Sequence, residues 1–105
     1  MIDGRGWSDA ADAAALPGHM GVYELADAAG RVLYIGCAGG RSRFGLRGEV
    51  CDALGRIDGA SRFRVEVTTA YLTRHRELLM RHQAAHGGLP AANGPVPGLG
   101  RLSPG

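Results

Sequence analysis

The chain has 105 residues and a mass of 10.9 kDa, with 45% hydrophobic and 21% charged residues, enough for one domain and one core but too little for two. No apolar run approaches the roughly 20 residues needed to cross a membrane. Met1-Ile2-Asp3 lacks the basic start and apolar stretch of a signal peptide, so neither membrane insertion nor secretion is expected. Cys37 and Cys51 are the only cysteines, too few for a disulfide scaffold, and a reducing cytoplasm is the expected location.

Charge is unevenly spread. The twelve basic residues are all arginines, against ten acids. Residues 1–40 hold two arginines and five acids, a net of −3, whereas residues 41–81 hold nine arginines and five acids, a net of +4. The absence of lysine beside abundant Ala and Gly points to a compositional bias, so the placement of the arginines says more than their number. The middle of the chain carries a basic field.

In chain order, Trp7 to Leu16 reads as a short helix with Ser8 as N-cap and Asp9 and Asp12 near its positive end, stopped by Pro17-Gly18. Met20–Leu25 and Arg31–Ile35 flank a turn-forming stretch ending in Gly30, which predicts a β-hairpin. A glycine-rich loop, 36–43, leads into a helix over about 44–54 whose buried stripe would be Leu46, Val50, Ala53 and Leu54, with Arg47 at its border. Phe63–Val67 alternates apolar and charged residues and reads as a third strand with one wet face. Tyr71–His86 is a second helix, with Thr73 as its expected N-cap, Leu72, Leu79, His82 and Ala85 lining one face and Leu78 beside them, ended by Gly87-Gly88. The expected fold is therefore α+β, a small three-stranded antiparallel sheet flanked by helices. It divides into an N-terminal helix and lead-in (1–19), a core domain (20–93) and an extended, mobile Pro/Gly tail (94–105).

Gly21-Val22-Tyr23, then ten residues, then Tyr34-Ile35-Gly36 resembles the paired signature of the GIY-YIG endonuclease superfamily. Residues farther along the chain strengthen the likeness by their order: an arginine in the next helix (Arg47), a glutamate on a later helix (Glu77), and an asparagine shortly after a proline (Pro90 and Asn93). It spans roughly residues 20–93. The arginine lies farther from the second signature than in many members, and Arg41, Arg43 and Arg47 compete for the place. Arg47 is preferred because Phe44 fits the apolar position that opens the helix, while Arg41 and Arg43 lie in the loop and suit contacts with a nucleic-acid backbone.

The resemblance implies a metal-dependent endonuclease that hydrolyses phosphodiester bonds in nucleic acid, most readily DNA. Tyr23 would be the base, Tyr34 would hold water or a phosphate oxygen, and Arg47 would offer a planar fork of donors to the phosphate. Glu77 would be the single protein ligand of a Mg²⁺ or Mn²⁺ ion, and Asn93 would complete the site by fixing loop geometry or contacting the active-site network. A phenol with an ordinary pKa of about 10 needs a nearby cation to serve as a base. No recognition domain is visible, so specificity would come from loops, a homodimer or a partner protein.

Each residue also has a plainer reading. Tyr23 and Tyr34 would serve as sheet tyrosines, Glu77 would pair with Arg81 at i+4 or Arg74 at i−3, and Asn93 would only initiate a turn before Gly94. The glycine loop matches neither G-x-G-x-x-G nor G-x-x-x-x-G-K-[ST], which argues against a nucleotide cradle. Cys37, Cys51, His82 and His86 offer a metal-site alternative, but without the close cysteine spacing of structural zinc sites. The competing functional class is a catalytically inactive nucleic-acid-binding or adaptor module on the same scaffold.

Overall fold

In the computed structural model, which describes Ile2 and residues 6–94, the hairpin is β2 (Gly21–Ala26) and β3 (Val32–Ala38). Its turn is set locally. The Asp27 carboxylate accepts the N–H groups of Ala29 and Arg31 at 3.0 and 2.9 Å, and Gly30 takes a φ of +87° that other residues rarely adopt. The third long strand, β4 (Arg62–Val67), pairs antiparallel with β2 on its other side. The sheet has four strands rather than the expected three: a two-residue strand, β1 (Ser8–Asp9), adds to β4 and gives the order β1-β4-β2-β3.

The expected N-terminal helix divides accordingly. Ser8 and Asp9 pair with Phe63 and Arg62, and only Ala10–Ala15 winds, as a 3-10 helix whose N-cap position, Asp9, makes no side-chain capping bond. Six residues between a strand and the Pro17 stop are too few to sustain an α-helix against this pairing. The expected 94–105 tail lies outside the described residues apart from Gly94.

Side chains alternate across the sheet and build two cores, with one break: the register shifts between Leu25 and Ala26, which leaves Leu33 unpaired and turns Val32 to the same face as Ile35. Tyr23, Leu25, Ala38 and Phe63 face α1 (Gly45–Arg56), meeting Leu46, Val50 and Ala53 together with Ala13. Val22, Val32 and Ile35 face α2 (Tyr71–His86), meeting Leu78 and Leu79 together with Ile2. Covered on both faces and paired on both edges, β2 is buried along its whole length. α1 runs over Gly45–Arg56 with the expected stripe, although Leu54 is only half-buried. α2 matches its expected bounds, but Ala70 rather than Thr73 holds the N-cap position, and Leu72 and Ala85 are exposed. Among the described residues no helix is long and apolar enough to cross a membrane.

His82 is buried in the second core, its Nδ1 2.9 Å from the Gly88 carbonyl and its ring 4.3 Å from that of His86. Burial lowers its pKa below the ordinary imidazole value; His86 adds to the depression, while the Gly88 bond and Glu24 oppose it. The folded state thus favours the neutral ring, and the unfolded chain takes up a proton first. Stability should be complete above about pH 6.5 and fall as pH drops through and below that value. Thermal melts between pH 7.5 and 5 should show this slope, and His82→Gln should flatten it. A slope unchanged in that variant would remove His82 as the cause.

Candidate functional site

Tyr23 and Tyr34 come together on the α1 face, their ring centroids 6.0 Å apart. Tyr23 pairs across the strands with Gly36, and its ring fills the space that a side chain at that position would need. The first and second signatures are therefore one packing unit: the glycine of one strand accommodates the tyrosine of the other. Gly21 has a similar role, since a Cβ there would meet the Glu66 carbonyl of β4 and stand 3.0 Å from Leu46 Cδ1.

The groups around the two tyrosines are Glu49 and Arg56, both on α1. Arg56 lies 5.7 Å from the Tyr34 ring centroid, and the Ser42 hydroxyl donates to Glu49 Oε2 at 3.1 Å. Burial pushes the Tyr23 phenol well above its ordinary pKa, and Tyr34 and Glu49 push it further, with only Arg56 acting against them. A base needs the opposite shift. Burial and then Glu49 likewise raise the Cys37 thiol.

Arg47 does not join this cluster. At 100° per residue, Glu49 and Arg56 fall on one flank of the buried Leu46–Val50–Ala53 stripe, and Arg47 lies about 160° from Glu49, on the other flank. Its guanidinium sits 5.8 Å from the Phe44 ring, which Arg43 approaches at 5.7 Å. Arg41, Arg43 and Arg47 are all exposed.

Glu77 lies on α2, beyond the opposite face of the sheet. Its carboxylate pairs with Arg74 and with Arg81, the latter at 3.5 Å, and Arg74 reaches on to Glu66 at 2.9 Å. Both i−3 and i+4 partners anticipated from the sequence are present. The Mg²⁺ or Mn²⁺ ion implied by the resemblance does not fit this setting, because two guanidiniums already hold the one carboxylate and would repel a divalent cation beside it. Among the described residues no group of three or more His, Cys, Asp or Glu side chains is placed to hold a metal. His82 and His86 are adjacent, Cys37 is half-buried, and Cys51 is exposed.

Asn93 performs a structural task. Its Oδ1 accepts the Ile35 N–H at 2.9 Å and its Nδ2 donates to the Ile35 carbonyl at 3.0 Å, tying the chain after α2 to the second signature. His75 Nε2 lies 3.1 Å from the same carbonyl.

A different convergence involves the loop arginines. The register places Gly21, Ala38 and Val67 in one row at one end of the sheet, and both α1 and α2 begin within a few residues of it. The Leu46 N–H donates to the His19 carbonyl at 2.9 Å, anchoring the start of α1 to the start of β2. Neither helix has a side-chain N-cap or an acidic residue in its first turn, although the Glu49 carboxylate reaches back to Ser42 just before α1. Arg41, Arg43 and Arg47 lie at this end, with the exposed apolar side chains Met20, Phe44, Val67 and Leu72. Glu49 and Arg56 were missed in the sequence; their signal was the i, i+7 spacing along the flank of the α1 stripe. No curated protein and no solved structure matches the chain. The family model described as a domain of unknown function, DUF7508, does match, over residues 4–85, and since this is well over half of the chain, the protein belongs to that family.

Proposed function

We propose that the protein is a nucleic-acid-binding module on a GIY-YIG-like scaffold, acting in the cytoplasm and binding without hydrolysis. The observation that carries this reading is the gathering of Arg41, Arg43 and Arg47 at the end of the sheet where two helices start without acidic residues. Fixed positive charge and helix N-termini attract phosphate oxygens. The environments of Tyr23 and Glu77 argue against their hydrolytic roles: the phenol is made a weaker acid, and the carboxylate is held by arginines. The hydrolytic reading keeps one observation in its favour, the bond of Asn93 to the backbone of the second signature.

Fluorescence anisotropy with labelled oligonucleotides across a salt series tests the proposal. Affinity should fall steeply with salt, and Arg43→Ala and Arg47→Ala should each weaken binding and reduce the log–log slope by about one. Absent or salt-independent binding would overturn it. Incubation of the same DNA with Mg²⁺ or Mn²⁺ should give no product. Cleavage that disappears in Tyr23→Phe and Glu77→Gln would put the endonuclease reading in its place.

A further inference from the structure

Resting on that binding reading, we propose that the interface selects unpaired nucleotides, with Phe44 as the platform on which a base stacks. Of the six aromatic residues in the chain, Phe44 alone is exposed, at 53%, although it opens α1 where an apolar side chain would ordinarily turn inward. Its position is fixed from both sides. The Leu46 N–H is bonded to His19, and Gly48 lies so close that a Cβ there would stand 2.9 Å from the Cβ of Phe44. The backbone around Gly18 closes the other side, where a Cβ would meet the Phe44 carbonyl at 3.1 Å.

The guanidiniums of Arg43 and Arg47 lie over the ring, 5.7 and 5.8 Å from its centroid, so a stacking base takes the place of one of them on the ring and that guanidinium moves to the adjoining phosphate. Arginine next to an exposed ring is the combination that holds single strands: the cation tracks the backbone while the ring takes a base. A duplex hides the faces of its bases inside the stack and offers the ring nothing to cover, whereas an unpaired base exposes its face. Met20 and Val67 extend the apolar surface along the same end, joined by the Thr68 N–H to Met20 carbonyl bond of 3.1 Å. An acidic peptide would satisfy the arginines but would leave the ring uncovered.

The test measures anisotropy with a labelled single-stranded oligonucleotide and a blunt-ended two-strand duplex, using polyglutamate as competitor. The wild type should prefer the single strand by about tenfold or more, and Phe44→Ala and Phe44→Leu should remove most of that preference while Phe44→Trp keeps it. Leucine separates stacking from general apolarity. Equal affinity for strand and duplex, indifferent to Phe44→Ala, would overturn the inference and leave the binding reading standing. Absence of binding to either nucleic acid would overturn both, as would polyglutamate displacing them at equal charge concentration.

Discussion

Arg64→Met is expected to cost the fold about 3–5 kcal/mol, because it would leave a buried carboxylate without its counter-charge. Glu24 sits in the central strand and faces α2 with its side chain wholly buried. Arg64 is its direct cross-strand partner and donates from Nε to Glu24 Oε1 at 2.7 Å. The Ile2 N–H supplies a second donor to the same oxygen at 3.1 Å, while Oε2 has no hydrogen-bond partner among the described residues. The guanidinium in turn stacks 4.0 Å from the Trp7 ring centroid, which covers it on the N-terminal side. Proteins of this size hold about 5–15 kcal/mol in total, so the single variant should be barely folded. Glu24→Gln combined with Arg64→Met should recover most of the loss, since a neutral amide no longer requires a cation. Urea titrations of the two variants measure both effects. A loss below about 1 kcal/mol in Arg64→Met would show that Glu24 does not depend on this pair.

The second large effect is expected at Gly36. A Cβ there would stand 2.8 Å from Cε1 of Tyr23 and closer still to the hydroxyl end of the ring, in a core where α1 leaves the ring no retreat. Gly36→Ala should destabilise by about 1–3 kcal/mol through overpacking. In a Tyr23→Leu background the same change should cost much less, because the atoms it strikes are gone. That coupling is the diagnostic part of the cycle. If the two effects simply add, Gly36 is needed for backbone reasons and not for the ring.

The strands and helices were legible where the pattern was long. Six and five residues of apolar character around a turn ending in Gly30 specify β2 and the start of β3, and sixteen residues with a glycine stop specify α2. β3 runs on through Gly36, Cys37 and Ala38, which read as loop because glycine carries no strand pattern. β1 was not legible, because Ser8 and Asp9 carry no strand pattern and become a strand only through pairing with residues more than fifty positions away. Leu72 misled for a related reason: its spacing fits the α2 stripe, but it lies in the first turn of the helix and is 66% exposed. The ion-paired state of Glu77 was readable from i−3 and i+4 spacing, whereas strand alternation puts Tyr34 on the face of Val32, and the register shift at Leu25/Ala26 separates the two and brings Tyr34 to Tyr23 instead. What could not be read was which sheet face each helix covers. That choice sets Glu49 and Arg56 beside the tyrosines and puts Glu77 across the sheet.

The bond of Asn93 to Ile35 also bears on how the chain comes to be folded. β3 is an edge strand, and the Asn93 side-chain amide meets the N–H and C=O of Ile35 as another strand would, while the Ala92 N–H takes the Leu33 carbonyl at 2.9 Å. Asn93 lies 58 residues after Ile35 in the chain. During synthesis the hairpin is therefore complete long before its cover exists, and throughout that interval the edge presents open hydrogen-bonding groups to any neighbouring chain. Closing the edge is a late event, and chains that stop short of this turn keep a surface suited to strand-by-strand association.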